Sequence, residues 1–149
     1  MIELRPFKAE DILKIAVRGT EKIFFAGIKN LLKQGEFQEK AGPAFSAFEN
    51  GKILGAAGVG ILWPGVGEAW VCASEEVVAK TLWFHKTIKR TLYNIIEYLN
   101  LHRVQTAVEV NFEIGKKWAE RLGFKYESTM PSYGPNKETY LRYVIIKEN

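Results

Sequence analysis

The chain has 149 residues, 47% hydrophobic and 26% charged, with a formal net charge of +4. Those are the proportions of one globular domain, spanning 1–149, large enough to build a core without disulfides or metal, and they exclude wholesale disorder. Cys72 is the only cysteine, which excludes an internal disulfide and a cysteine-built zinc cluster and points to a reducing compartment.

The opening MIELRPFKAED carries charges where a secretory signal needs an apolar core, so the expected location is cytoplasmic. Ile2 to Arg5 alternate ahead of Pro6 and read as a short first strand. Asp11 opens a helix with Ile12, Ile15 and Ala16 on one face. A second helical stretch spaces Ile23, Phe24, Ile28, Leu31 and Leu32, with Gly35 as its expected stop. Ala44 to Glu49 is a strand, and Asn50-Gly51 a hairpin turn, because this pair tolerates positive φ. Ile53 to Leu62 returns as a strand whose Gly55, Gly58 and Gly60 indicate close packing or a bulge. The run Ile53 to Trp63 is too short to cross a bilayer. Pro64 to Gly67 turns the chain into a strand from Glu68 to Ala73.

The period then changes. Phe84, Ile88, Leu92, Ile95, Ile96 and Leu99 recur at three- and four-residue steps, the stripe of a long amphipathic helix. Val104 to Val110 alternate as a strand. Asn111 is a candidate cap for a helix to Leu122, and Gly123 its stop. Strands around Phe124 to Met130 and Thr139 to Ile146 flank a polar turn at Gly134 to Lys137. The order is β-α-α-β-β-β-α-β-α-β-β. The strand–helix–strand unit from Glu68 to Val110 predicts a parallel pair with a right-handed crossover.

Three pieces of this order carry a likeness: the opening IELRPFKAED, the FENGKILGAAGVGIL hairpin and VEVNFEIGKKWAERLGF. Together they resemble the GNAT (Gcn5-related N-acetyltransferase) superfamily over nearly the whole chain. The resemblance implies an α/β fold: a mixed, mostly antiparallel twisted sheet of about seven strands, splayed at the parallel pair β4–β5, with about four helices. The tail SYGPNKETYLRYVI and the Phe112, Gly115, Trp118 spacing resemble a narrower group of phage- and prophage-encoded GNAT-like proteins, including short internal virion proteins.

The resemblance implies acetyl-CoA as co-substrate, held in the splay, and direct acetyl transfer to a small-molecule or peptide amine. It assigns the strand-four backbone at Val71, Cys72 and Ala73 to the pantetheine arm. It assigns Lys80, Thr81, His85 and Lys86 to the pyrophosphate region, with Asn111 and Trp118 beside the cofactor. Glu68 falls where several members carry a general base; the competing reading is an exposed strand-end carboxylate. Two departures stand against this. The stretch Ala79 to His85, aligned with the Gly-rich pyrophosphate loop, contains no glycine and carries Leu82, Trp83 and Phe84. Ala119 occupies the position of the family's acidic tyrosine, leaving Tyr126 and Tyr133 as substitutes. The alternative is therefore a catalytically degenerate GNAT fold serving as a binding or virion structural module, with phage structural proteins as partners.

Other candidates carry less. Cys72 has no base partner in the sequence and reads as a small buried thiol. His85 and His102 are isolated, so no metal site is expected. Glu75 and Glu76 read as a solvated loop or the acidic start of a helix. Lys86, Lys89 and Arg90 read as a solvated helix face, so nucleic acid is not an expected partner. No membrane partner is expected, and a homodimer is compatible with the family.

Overall fold

The computed structural model describes residues 2–18, 30–80 and 82–148. In chain order the elements are β1 (Ile2–Pro6), α1 (Asp11–Arg18), α2 (Leu31–Ala41), β2 (Ala44–Glu49), β3 (Lys52–Trp63), β4 (Val66–Ala73), α3 (Glu75–Lys80), α4 (Leu82–Tyr98), β5 (Arg103–Glu109), α5 (Glu113–Leu122), β6 (Lys125–Met130) and β7 (Tyr140–Ile146). The strands form one sheet in the order β1-β2-β3-β4-β5-β7-β6. Only β4 and β5 run parallel; every other neighbouring pair is antiparallel.

The hairpin between β2 and β3 turns where expected, with φ of 51° at Asn50 and 80° at Gly51. The next turn is tighter than the sequence indicated. Gly65 takes a φ of 90°, and Val66 and Gly67 already belong to β4, Val66 paired with Trp63.

Apolar residues segregate to the two faces of the sheet. On one, α3, α4 and α5 bury Val77, Phe84, Leu92, Ile96, Trp118 and Leu122 against Leu54, Val104 and Val108. On the other, Ile12 and Ile15 of α1 cover Phe48, Ile53, Ala56 and Cys72. Each large side chain so buried contributes about 1.5–3 kcal/mol. Asp11 starts α1 by accepting from the Lys8 N–H at 3.0 Å, and the Ser46 hydroxyl donates to it at 2.8 Å.

Three helix boundaries differ from the expectation. Gly35 does not stop the second helix; α2 begins at Leu31, capped by Asn30 Oδ1 accepting from the Lys33 N–H, and runs through Gly35. The glycine serves packing instead, since a Cβ there would lie 2.6 Å from the Ala9 carbonyl oxygen of the α1 approach. Ile23, Phe24 and Ile28 lie outside the described residues. Asn111 does not cap α5: the N-cap is Phe112, and the exposed Asn111 donates its N–H to the Glu109 carboxylate. Glu75 and Glu76 are the acidic start of a helix, the second of the two readings, but that helix, Glu75 to Lys80, is a short one of its own that the expected order lacked, started by Ser74 Oγ accepting from the Val77 N–H at 3.3 Å. The described residues therefore hold five helices rather than about four.

The end of α5 agrees with the sequence. Gly123 takes a φ of 106°, its N–H bonds the Glu120 carbonyl and the Phe124 N–H bonds the Ala119 carbonyl. That is a Schellman closure. The Tyr93 hydroxyl donates to the Leu122 carbonyl at 2.9 Å and ties α4 to this end.

Candidate functional site

The parallel pair is short. β4 and β5 share only Val66–Arg103, Gly67–Val104 and Glu68–Gln105, and the ladder stops there. Immediately beyond, the Thr106 hydroxyl donates to the Ala69 carbonyl at 2.9 Å, so the Ala69 carbonyl faces β5. Backbone directions alternate along a strand, so the N–H and C=O of Val71 face the same gap.

A cavity of about 510 Å³ occupies this gap. From one face it is lined by Phe84, Thr87, Trp118 and Ala119 of α4 and α5; from the other by α2, by Trp70 and by Tyr133 and Tyr140 around the β6–β7 connection. Ala119, where the sequence lacks a tyrosine, sits on its wall, as do Glu68 and Val71.

Glu68 is held by two neighbours. The Arg142 guanidinium forms an ion pair with it at 3.0 Å, and Gln105 Nε2 donates to Oε1 at 2.8 Å. The side chains are 31% (Glu68) and 12% (Arg142) exposed. The network continues across the sheet: Arg103 donates to Gln105 at 3.0 Å and grips Glu127 with both terminal nitrogens at 2.8 and 2.6 Å. The forked contact holds the Arg103 guanidinium above its ordinary pKa. On its outer side Arg142 lies 5.7 Å from the Tyr133 ring centroid, and Tyr133 stands 5.3 Å from Tyr140. Burial, then Glu138, Glu109 and Tyr133, push the Tyr140 hydroxyl upward, keeping it protonated.

On the opposite wall Trp118 stacks on Phe84 at 6.0 Å and donates its Nε1–H to His85 Nδ1 at 2.8 Å. An imidazole accepting at Nδ1 carries its proton on Nε2. Burial first, then Lys89 and Arg121, lower the His85 pKa, so the ring is neutral near pH 7.

No protein-family model and no curated protein matches the sequence. Solved structures match the fold. A single-residue mutant of SpeG, the spermidine N-acetyltransferase of Vibrio cholerae, gives a TM-score of 0.71 at 16% identity over 97% of this chain and 93% of that one. The ribosomal-protein-S5-alanine acetyltransferase of Vibrio fischeri gives 0.71 at 17% identity over 99% and 94%. This is the GNAT fold. At such identities the likeness is one of architecture, and the chemistry has to be argued from the residues.

Within the GNAT fold, the structure gathers some sequence candidates and scatters others. Glu68, Val71, Trp118 and Tyr133 line the cavity. The Cys72 and Ala73 side chains are fully buried, in the cores on opposite faces of the sheet. Burial pushes the Cys72 thiol up to about 12, so it is no nucleophile. Tyr126 is 57% exposed on the edge strand β6, bonded to Thr129, and does not reach the cavity. Lys86 and Asn111 are exposed and off its wall. Lys80 ends α3, and Thr81 lies outside the described residues. The sequence reading missed Gln105, Thr106 and Arg142, which hold Glu68 and cross the gap. Their alternation in β5 and β7 is that of any strand, and only the pairing of β4, β5 and β7 brings them to one carboxylate.

Proposed function

We propose that the chain is an acetyl-CoA-dependent N-acetyltransferase transferring acetyl directly to an amine. The single observation that carries this is the open β4–β5 gap, with the Val71 backbone facing a cavity about 510 Å³ in volume.

The residues present fit the arm of the cofactor. Val71 has an N–H and a C=O for the pantetheine amides, and Trp118 and Phe84 give an apolar wall. At the phosphate end, His85 Nε2–H with Lys89 and Arg121 nearby are the groups suited to an anion. Bound acetyl-CoA would supply the activated acetyl group. The acceptor amine must be uncharged to react, and we assign its proton to Glu68, the one charged residue among the described cavity residues. Arg142 and Gln105 hold that carboxylate in a single orientation. Tyr133, on the same wall, is the assigned proton donor to the leaving thiolate.

Two observations favour a second reading, a GNAT fold without catalysis in a phage- or prophage-associated binding or virion protein. The stretch Ala79 to His85, aligned with the family's pyrophosphate loop, contains no glycine and carries the bulky Leu82, Trp83 and Phe84. Ala119 removes the family's tyrosine.

Thermal denaturation with acetyl-CoA separates the two. Saturation at a hundredfold excess over Kd stabilises the fold by about 2.7 kcal/mol. An unmoved Tm at millimolar acetyl-CoA and CoA removes the enzyme reading. Where Tm rises, Glu68→Gln should keep that rise and lower turnover by about 100-fold or more, read as thiol release; unchanged turnover removes Glu68 as the base.

A further inference from the structure

The α2 wall of the cavity holds an amide oxygen with no hydrogen-bond partner. Gln34, Phe37, Gln38 and Ala41 stand at three- and four-residue steps on α2, the face of the helix that lines the cavity. Gln38 is 4% exposed, and its Oε1 is buried without a hydrogen-bond partner. A buried acceptor left unmade is a standing cost, and native structures rarely carry one without a reason.

The register puts the end of α2 near Glu68. Gly60 of β3 pairs with Glu68, and a Cβ on Gly60 would lie 3.2 Å from Ala41 of α2. The last turns of α2 therefore stand one strand away from the carboxylate. The same cavity is lined by four aromatic residues, Phe37, Trp70, Tyr133 and Tyr140. Glu68 is the only charged residue among the described lining residues, and Arg142 already neutralises it. A polycation entering here would bury several ammonium groups against one compensated carboxylate, which is strongly unfavourable.

We propose that this end of the cavity takes a primary monoamine on an aromatic body, with one N–H donated to Gln38 Oε1, and that it rejects polyamines. The chemistry rests on the acetyltransferase reading above; the binding does not. An uncharged amine nitrogen donates one N–H to Gln38 and keeps its lone pair free. The ring packs among Phe37, Trp70 and Tyr133, where stacking and edge contacts favour an aromatic partner.

The test uses the full chain in two arms. In the first, tryptamine, phenethylamine and spermidine are titrated by calorimetry without cofactor, against wild type and Gln38→Leu. The expected result is that both aromatic amines bind wild type, spermidine binds at least about tenfold more weakly, and Gln38→Leu weakens tryptamine about tenfold. Without ligand, Gln38→Leu should raise Tm, because it removes the buried unbonded amide oxygen. Tighter binding of spermidine, no binding of either aromatic amine, unchanged tryptamine affinity in Gln38→Leu, or a lower Tm in that variant each overturns the proposal. In the second arm, acetyl-CoA is added and products are read by mass spectrometry. Acetylated tryptamine or phenethylamine in excess of acetylated spermidine supports the proposal; the reverse order overturns it. Aromatic amine binding with the Gln38 effect intact, but no Tm response to acetyl-CoA, retires the acetyltransferase reading and leaves the amine site standing.

Discussion

Cys72 and His85 show how surroundings set the behaviour of a single side chain. Cys72 is fully enclosed, and loss of hydration alone takes its thiol to about 12. We expect no reaction with Ellman's reagent in the native state and one equivalent on adding denaturant; rapid native labelling would show that the core around Ala56 and Cys72 opens. His85 is the reverse case, an imidazole held neutral. Folding lowers its pKa, so the unfolded chain binds the proton more readily. The resulting stability is present above the ordinary imidazole value and is lost as pH falls through the folded value. Tm should therefore decline on acidification below about pH 6.5. His85→Gln, which keeps an acceptor for Trp118 Nε1–H, should flatten that decline, measured by scanning calorimetry; an unchanged slope would assign the acid sensitivity elsewhere.

The element that most depends on one residue is α5. Its closure needs Gly123 at a φ of 106°, and a Cβ there would strike the Tyr93 hydroxyl that bonds Leu122. Gly123→Ala should destabilise the protein by at least about 1–2 kcal/mol from the left-handed backbone alone, read from urea denaturation. Gly123→Ala in a Tyr93→Phe background should lose less, because the clash with the hydroxyl is gone while the backbone term stays. The turn chemistry here was legible in the sequence because it is local. Gly35 looked like the same signal and was not: its reason is the Ala9 carbonyl, a contact that spacing along the chain does not encode. Asn111 failed as a cap for a related reason. The helix starts one residue later than a capping Asn111 requires, at Glu113, and Phe112 takes the cap position.

At the scale of the molecule, the gap between β4 and β5 joins the two faces of the sheet. A ligand in it touches α5 on one side and α2 on the other. If acetyl-CoA occupies the gap as proposed, hydrogen exchange should slow at Val71 to Ala73 and at Ala107 and Val108, with little change in the β1–β2 pair. Protection confined to the exposed basic face of α4, at Lys86 to Arg90, would instead indicate a surface charge contact. The first is a loss of local opening along an unpaired strand edge; the second would fade with salt.

The strands, the long helix α4, the Asn50-Gly51 hairpin, the Gly123 closure and the parallel crossover into β5 were all legible along the chain. Each is written in periodicity or turn chemistry within a few residues, and from these the GNAT-like order followed. The sequence also singled out Glu68 and showed the missing tyrosine at Ala119. What surrounds them is set by the packing of distant segments. Arg142 lies 74 positions from Glu68 and Gln105 lies 37, and strand pairing, not local pattern, makes them neighbours. The same holds for Gln38, which lies beyond the expected helix stop at Gly35 and whose amide oxygen is shut in without a partner only once α2 is laid over β3.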